Sequence, residues 1–295
     1  MPSNLPTPNR LSPGLYVVAT PIGNLADITL RALDVLARAD VIAAEDTRHS
    51  RRLLAAHHIT NQLVAYHEHN EIRRAPELIE RLDQGGAVAL ITDAGTPMVS
   101  DPGYRLVQAA AQRRIQIIPI PGASAAVAAM SVSGLPTDQF TFIGFPARKK
   151  AKRMAQLRML AQVPHPLIFY QSPQRLTLFI QELMEACGDR RAVLGREMTK
   201  QYEEFVRGPL SHIQAQLGQR KSIKGECTLI VDGAPAAPAN DSATNEELLE
   251  LAISEALAAG GSVNDIAKAL AERFDLNKPL IYRKVLAMKA SRRQR

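Results

Sequence analysis

The 295-residue sequence predicts an α/β fold: two α/β domains followed by a small all-α module of helix-turn-helix layout. Three observations predict it. From residue 14 to 136, short apolar runs alternate with amphipathic stretches, the pattern of a mostly parallel sheet covered by helices. From 137 to 232 the apolar runs lie closer together, without long helical crossovers, as in a mixed sheet. Residues 233–245 are rich in Ala, Pro, Asn and Asp with no apolar period and read as a linker. Helical stretches then fill 246–295.

The elements follow in order. Residues 1–13 are polar and proline-rich and read as a flexible N-terminus. Leu15–Thr20 is a buried strand, broken by Pro21-Ile22-Gly23-Asn24. Asp27 can cap a helix whose apolar face is Leu30, Leu33, Leu36 and Ala37. Val41–Ala44 is a strand ending in Glu45-Asp46-Thr47-Arg48, Arg51–His57 is helical, and Leu63–Tyr66 is strand-like. Glu71–Leu82 is an amphipathic helix stopped by Gly85-Gly86. Ala87–Thr92 is a strand, Gly103–Arg113 a helix and Ile115–Ile120 a strand, after which Pro121-Gly122-Ala123-Ser124 opens an alanine-rich helix. Beyond Pro136, strands are predicted at Phe140–Phe145, Leu167–Tyr170, Ala192–Arg196, Glu203–Arg207 and Glu226–Val231, with helices near 174–186 and 209–217. The terminal helices are Glu246–Ala259, one from Ser262 burying Val263, Ile266, Leu270 and Phe274, and one from Asn277 carrying Ile281, Val285 and Met288. A basic last helix after a short turn suits a helix-turn-helix. A plain three-helix packing module fits the spacing equally well.

Composition narrows the function. With 46% hydrophobic residues, the chain can build two cores without staples. Two cysteines, Cys187 and Cys227, are too few for a disulfide framework or a cysteine zinc site, and no metal site is read from the sequence. No apolar run is long enough to span a bilayer, and Met1–Pro13 lacks the apolar stretch of a signal peptide, so a cytoplasmic protein is expected. Net charge is +7. Arg148, Lys149, Lys150, Lys152, Arg153 and Arg158 form one acid-free basic stretch, and Lys278–Arg295 another. Solvated helix faces could explain either, but two together favour a polyanionic partner.

Three loops at predicted strand ends stand out, because ligands in open α/β sheets sit beyond the carboxyl ends of strands. Thr20–Asn24 lacks G-x-G-x-x-G, so a pyrophosphate cradle is unsupported. Thr92–Gly103 packs two Asp, two Gly, two Pro, two Thr and a Ser into twelve positions, more than a simple connection needs. Pro121–Ser124 starts a helix of small residues, which suits either a carboxylate at a helix N-terminus or close helix–sheet packing. These loops imply a nucleoside-like or amino-acid-like ligand.

Several ordered motifs then carry a resemblance. They are Thr20-Pro21-Ile22-Gly23-Asn24-Leu25, Ala44-Glu45-Asp46-Thr47-Arg48, Asp93-Ala94-Gly95-Thr96-Pro97, Ser100-Asp101-Pro102-Gly103 and Pro121-Gly122. Phe169-Tyr170-Gln171-Ser172-Pro173-Gln174-Arg175-Leu176, Arg196-Glu197-Met198-Thr199-Lys200 and Lys224-Gly225-Glu226 complete them. The chain resembles the small-subunit ribosomal RNA (cytidine-2′-O)-methyltransferase family, of the tetrapyrrole-methylase superfamily. Gln171 and Gln174 depart from that pattern, at positions where a Glu and a His or similar residue are expected. The resemblance implies two α/β domains of tetrapyrrole-methylase type, S-adenosylmethionine in the cleft between them, and a homodimer. It also implies a helical module that helps grip RNA, with a cytidine ribose in the decoding region of 16S ribosomal RNA, in the small ribosomal subunit, as substrate.

On that reading the cofactor contacts are Pro21, Asp93, Ala94, Gly95, Thr96, Ser100, Pro121 and Ser124, with Met198 from the second domain. A neutral ribose hydroxyl needs a base or a nearby cation. Glu45, Asp46, Asp101, Glu197 and Lys200 are candidates; each also fits a cap or a salt bridge. Glu45, Asp46 and Lys200 are taken as catalytic. Arg48, Arg148, Lys149, Lys150, Arg153, Arg283 and Lys284 are expected to contact RNA. Two rivals remain at this point: a methylase of a tetrapyrrole precursor, and a ligand-sensing DNA-binding regulator.

Overall fold

The computed structural model describes residues 11–235, 240–274 and 276–293. Residues 1–10 of the predicted N-terminal segment and 236–239 of the predicted linker lie outside these.

The first sheet is wholly parallel. Its strands are β1 (Gly14–Val18), β2 (Val41–Ala44), β3 (Leu63–Ala65), β4 (Ala87–Ile91) and β5 (Ile117–Ile120), in spatial order β3-β2-β4-β1-β5. Helices cover both faces, which is why β1, β2 and β4 are continuous apolar runs. Leu15, Val17, Val41, Ala43, Val88 and Leu90 point to the face under α3 (Glu71–Asp83) and α4 (Tyr104–Gln112). Tyr16, Val18, Ile42, Ala44, Ala89 and Ile91 point to the face under α1 (Leu30–Arg38) and α2 (Thr47–Ala56).

Helix α1 begins later than expected. Leu25–Asp27 forms a separate 3-10 turn capped by Asn24, and the Thr29 hydroxyl accepts the Ala32 N–H at 3.1 Å to start α1. That start fixes the buried stripe as Ala32, Val35 and Leu36 and leaves Leu30 85% exposed.

The second sheet is mixed. Strands β6 (Thr141–Gly144), β7 (Leu167–Gln171), β8 (Arg191–Arg196), β9 (Glu204–Pro209) and β10 (Cys227–Val231) run in order β6-β7-β10-β8-β9, and only β6 and β7 are parallel. Helices α6 (Lys150–Leu160), α7 (Pro173–Cys187) and α8 (Leu210–Gly218) cover one face, over Phe169, Leu194, Val206 and Leu229. The other face is filled from the first half of the chain. Helix α5 (Ala125–Ser131) presents Ala126, Ala129 and Met130 to Ile168, Val193 and Ile230, joined by Ile22 and Met198. The two sheets therefore share a core, and the chain to Ala234 is one compact unit.

Residues from Pro235 form a second unit, with α9 (Asn240–Ala258), α10 (Val263–Phe274) and α11 (Lys278–Arg293). Its own core contains Leu249, Ile253, Ile266, Leu270, Ile281 and Val285. Helix α9 starts six residues before the predicted Glu246. The segment 240–245 has no apolar spacing to betray it. No helix among the described residues is long and apolar enough to cross a membrane.

One basic residue of the first patch is internal. Arg153 forks onto Glu182, with Nε–Oε2 at 2.5 Å and Nη2–Oε1 at 2.7 Å, and Nη1 donates to the carbonyls of Ala147 and Arg148. The side chains are 11% and 3% exposed. Arg153→Met leaves a buried carboxylate without its partner, at an expected cost of about 2–4 kcal/mol. Urea denaturation measures it, and a loss below about 0.5 kcal/mol, the scale of an ordinary surface change, would contradict the assignment.

Candidate functional site

Strands β2, β4, β1 and β5 are neighbours, so the loops at their carboxyl ends converge. The backbones of Thr20 and Gly95 exchange hydrogen bonds at 2.9 and 3.0 Å, and the Thr20 hydroxyl donates to the Thr92 carbonyl at 3.1 Å. The Thr96 hydroxyl donates to the Ala123 carbonyl at 3.3 Å. A Cβ added to Gly122 would lie 2.9 Å from that of Ala19, so the third loop needs a bare backbone to approach the first. Met98 and Ser100 hold left-handed backbone, at φ 70° and 73°. Such conformations cost non-glycine residues on the order of 1 kcal/mol or more and cluster where loops are held for function.

Under these loops and against the second sheet lies a cavity of about 320 Å³. Ala94, Gly95, Thr96, Val99, Asp101 and Ser124 line it from the first half; Tyr170, Gln171, Met198, Cys227 and Thr228 line it from the second. The Tyr170 hydroxyl accepts the Ala126 N–H at 3.2 Å, tying β7 to the first turn of α5. Its phenol is raised above the usual range, chiefly by burial. Burial also pushes the Cys227 thiol up to about 11, so it stays protonated and is no nucleophile.

The acids in this region influence one another. The Asp93 N–H donates to Glu45 at 3.4 Å, and Asp93 Oδ1 accepts the Asp46 N–H at 3.1 Å. Glu45 is raised above the ordinary carboxylate range, first by burial. Burial, and then the charges of Glu45 and Asp93, push Asp101 up to about 7.

A second cavity, of about 470 Å³, adjoins the first and shares Ile22, Ala94 and Glu226 with it. Pro21, Gly23, His49, Arg52, Asp93 and Lys200 are among its other walls. Lys200 Nζ donates to Glu197 and Glu226, each at 2.8 Å. Burial alone would lower the Lys200 ammonium, but the two carboxylates outweigh it and hold it above its ordinary value. Glu197 and Thr199 are left-handed, at φ 50° and 66°. A Cβ on Gly23 would meet Lys200 Cγ at 2.5 Å and Thr199 Oγ1 at 2.8 Å. The first loop and this turn of the second sheet therefore touch.

The structure places the expected residues as follows. Gly95, Thr96, Ser124 and Met198 line the first cavity, Pro21 and Asp93 the second, and Ala94 both. Ser100 and Pro121 are exposed and line neither. Glu45 stands behind Asp93. Asp46 is the N-cap of α2, accepting the Arg48 N–H at 2.8 Å, and that bond holds its carboxyl low. Arg48 is exposed and pairs with Asp46 at 3.3 Å. Arg148, Lys149 and Lys150 are exposed before and at the start of α6, while Arg153 turns inward to Glu182. Arg283 is exposed and Lys284 half-buried on α11. Tyr170, Thr228, His49 and Arg52 were given no role by sequence reasoning. The available signal for the last two is their spacing of three behind the capping Asp46, which puts both on one face of α2.

A family model described as Tetrapyrrole (Corrin/Porphyrin) Methylases matches residues 14–214. A protein of Mesorhizobium japonicum named Ribosomal RNA small subunit methyltransferase I is 46% identical over 280 residues, covering 95% of this chain and 93% of the relative. One of the same name from Synechocystis is 41% identical, covering 94% and 98%. Among solved structures, uroporphyrin-III C-methyltransferase of Thermus thermophilus complexed with S-adenosylhomocysteine aligns with TM-score 0.53 at 20% identity, over 74% of this chain and 96% of that one. Cobalt precorrin-4 methyltransferase aligns with TM-score 0.56 at 18% identity, over 74% and 94%. At these identities the two structures establish the fold alone.

The Asp101 shift fixes the sign of a pH effect. Its folded pKa lies above its unfolded value, so the stability is fully present below the ordinary carboxylate pKa of about 4, is lost progressively as pH rises from there, and is fully lost once pH has risen through about 7. Relative to its value at about pH 4, the melting temperature of Asp101→Asn should gain progressively on the parent as pH rises to about 7, and the gap should then stay constant. A difference independent of pH, read by thermal melts across that range, would contradict the buried-acid assignment.

Proposed function

The chain belongs to the tetrapyrrole (corrin/porphyrin) methylase family, and within it we propose transfer of a methyl group from S-adenosylmethionine to the ribose 2′-hydroxyl of a cytidine in the decoding region of 16S ribosomal RNA. The observation that carries this reading is coverage. Relatives named for the small ribosomal subunit match 94–95% of the chain. The aligned tetrapyrrole enzymes are matched almost whole yet account for 74% of it.

The first cavity suits the cofactor. Its size falls within the range of about 300–1,000 Å³ usual for small-molecule sites. Gly95 keeps backbone bare in its lining, Ile22, Val99 and Met198 offer apolar wall, and the acids near Asp101 favour a cation. S-adenosylmethionine supplies an electrophilic methyl group on a sulfonium. The protein's share is to place the hydroxyl and accept its proton. We assign Ala94, Gly95, Thr96, Ser124 and Met198 to the cofactor. Asp101, whose pKa of about 7 suits a general base, takes the proton. Glu45 is a positioning residue: it accepts the Asp93 N–H and so holds the loop that carries Asp93 and Asp101. Lys200 orders the Glu197 turn and Glu226.

Arg48, Arg148, Lys149, Lys150, Arg283 and Lys284 remain the residues proposed to contact RNA. Acting in the cytoplasm on the assembled subunit, and as a homodimer, belongs to the same proposal.

Incubation with a labelled methyl donor tests it against free 16S RNA, assembled small subunits, a tetrapyrrole precursor and duplex DNA. Label is expected in ribosomal RNA as a 2′-O-methylcytidine; label on the tetrapyrrole alone would sink the reading. Glu45→Gln should lower turnover at least about tenfold while S-adenosylhomocysteine binds as tightly as before in calorimetry. Unchanged turnover removes Glu45 from the mechanism.

A further inference from the structure

The cofactor reading leaves the second cavity without an occupant. It is the larger of the two and shares the Ile22, Ala94 and Glu226 walls with the first. Its polar groups divide by origin. Helix α2 contributes His49 and Arg52, beside Leu53; the loop after β4 contributes Asp93. Lys200 and Glu226 also line it, but they are paired with each other, and Lys200 with Glu197 as well. Arg48, on the same helix, is paired with Asp46. The Arg52 guanidinium makes no hydrogen bond or ion pair within the described residues. It is thus an exposed cation on the cavity lining with no protein partner among the described residues, in a cavity whose lining also includes the Asp93 carboxylate.

From this we infer that the second cavity holds the target nucleotide of the RNA, with Arg52 and His49 on its phosphate and the Asp93 wall on its ribose. The inference rests on the reading above. In a ribonucleotide the 3′-phosphodiester sits on the carbon next to the one bearing the 2′-hydroxyl. Gripping that phosphate holds the hydroxyl at the edge where the two cavities adjoin, facing the methyl donor and Asp101 of the first. Phosphate contacts set register in this way without reading sequence, and a planar guanidinium suits a phosphate.

Three variants and a control test it: Arg52→Gln, His49→Gln, Arg52→Lys, and Arg31→Gln on the exposed face of α1. For Arg52→Gln, KM for small subunits should rise about tenfold, with kcat within about twofold and S-adenosylhomocysteine affinity unchanged. Binding of a labelled single-stranded decoding-region oligonucleotide should lose about 0.7 from the magnitude of its log–log salt slope, the share of one phosphate. His49→Gln should shift KM in the same direction, Arg52→Lys should restore the slope, and Arg31→Gln should match the parent throughout. An active parent whose KM and slope are untouched by Arg52→Gln overturns the subsite alone. A parent that labels no RNA overturns the methyltransfer reading and the subsite together.

Discussion

Seven residues of α5, five of them small enough to let backbone approach backbone, sit between the two sheets and, with Ile22 and Met198, form the core that the sheets share. Ala126, Ala129 and Met130 cover the face of the second sheet that its own helices leave bare. Ala129 is fully buried, so its methyl group sets the local spacing between helix and strand β10. The Tyr170 hydroxyl satisfies one N–H of the short helix from across the gap. The cavity walls contributed by the second sheet, Tyr170, Gln171 and Thr228 among them, lie on the sheet whose inner face this helix covers. A longer side chain at Ala129 would have to separate them, since interiors at crystal-like density offer no slack.

Much of this architecture is legible in the sequence because it follows from local rules. Runs such as Ala87–Ile91 read as strands buried on both faces, and the loop at 92–103 reads as a ligand loop because it is too long and too polar to be a connector. The start of α1 is missed where two capping residues compete, Asp27 and Thr29, and only geometry decides between them. The early start of α9 is missed because its first turn carries no apolar period. What no local rule reveals is which residues of the second half face the first. Tyr170, Gln171 and Thr228 enter the site through strand order, a property of the whole sheet.

The same limit governs the charged residues. Composition counts Arg153 as part of a basic surface, yet its guanidinium is spent inside the protein on Glu182 and two carbonyls. Asp46 has the right type and place for a catalytic acid, but the first turn of α2 claims its carboxylate. Lys200 is similarly engaged by two glutamates. Arg52 carries the same formal charge as Arg153 and Lys200, and what distinguishes it from them is the lack of any such engagement among the described residues. A charge with no internal partner is the one still available to a ligand.

Asp101 carries that contrast one step further. With a pKa of about 7, it is protonated in about half of the molecules at neutral pH. The proton neutralises one of three carboxylates, Glu45, Asp93 and Asp101, whose charges repel one another. A cation entering the cavity favours the ionised acid and must displace that proton. The two behave as rival ligands for one site, and hydrogen-ion concentration acts on the empty cavity as a competitive inhibitor would.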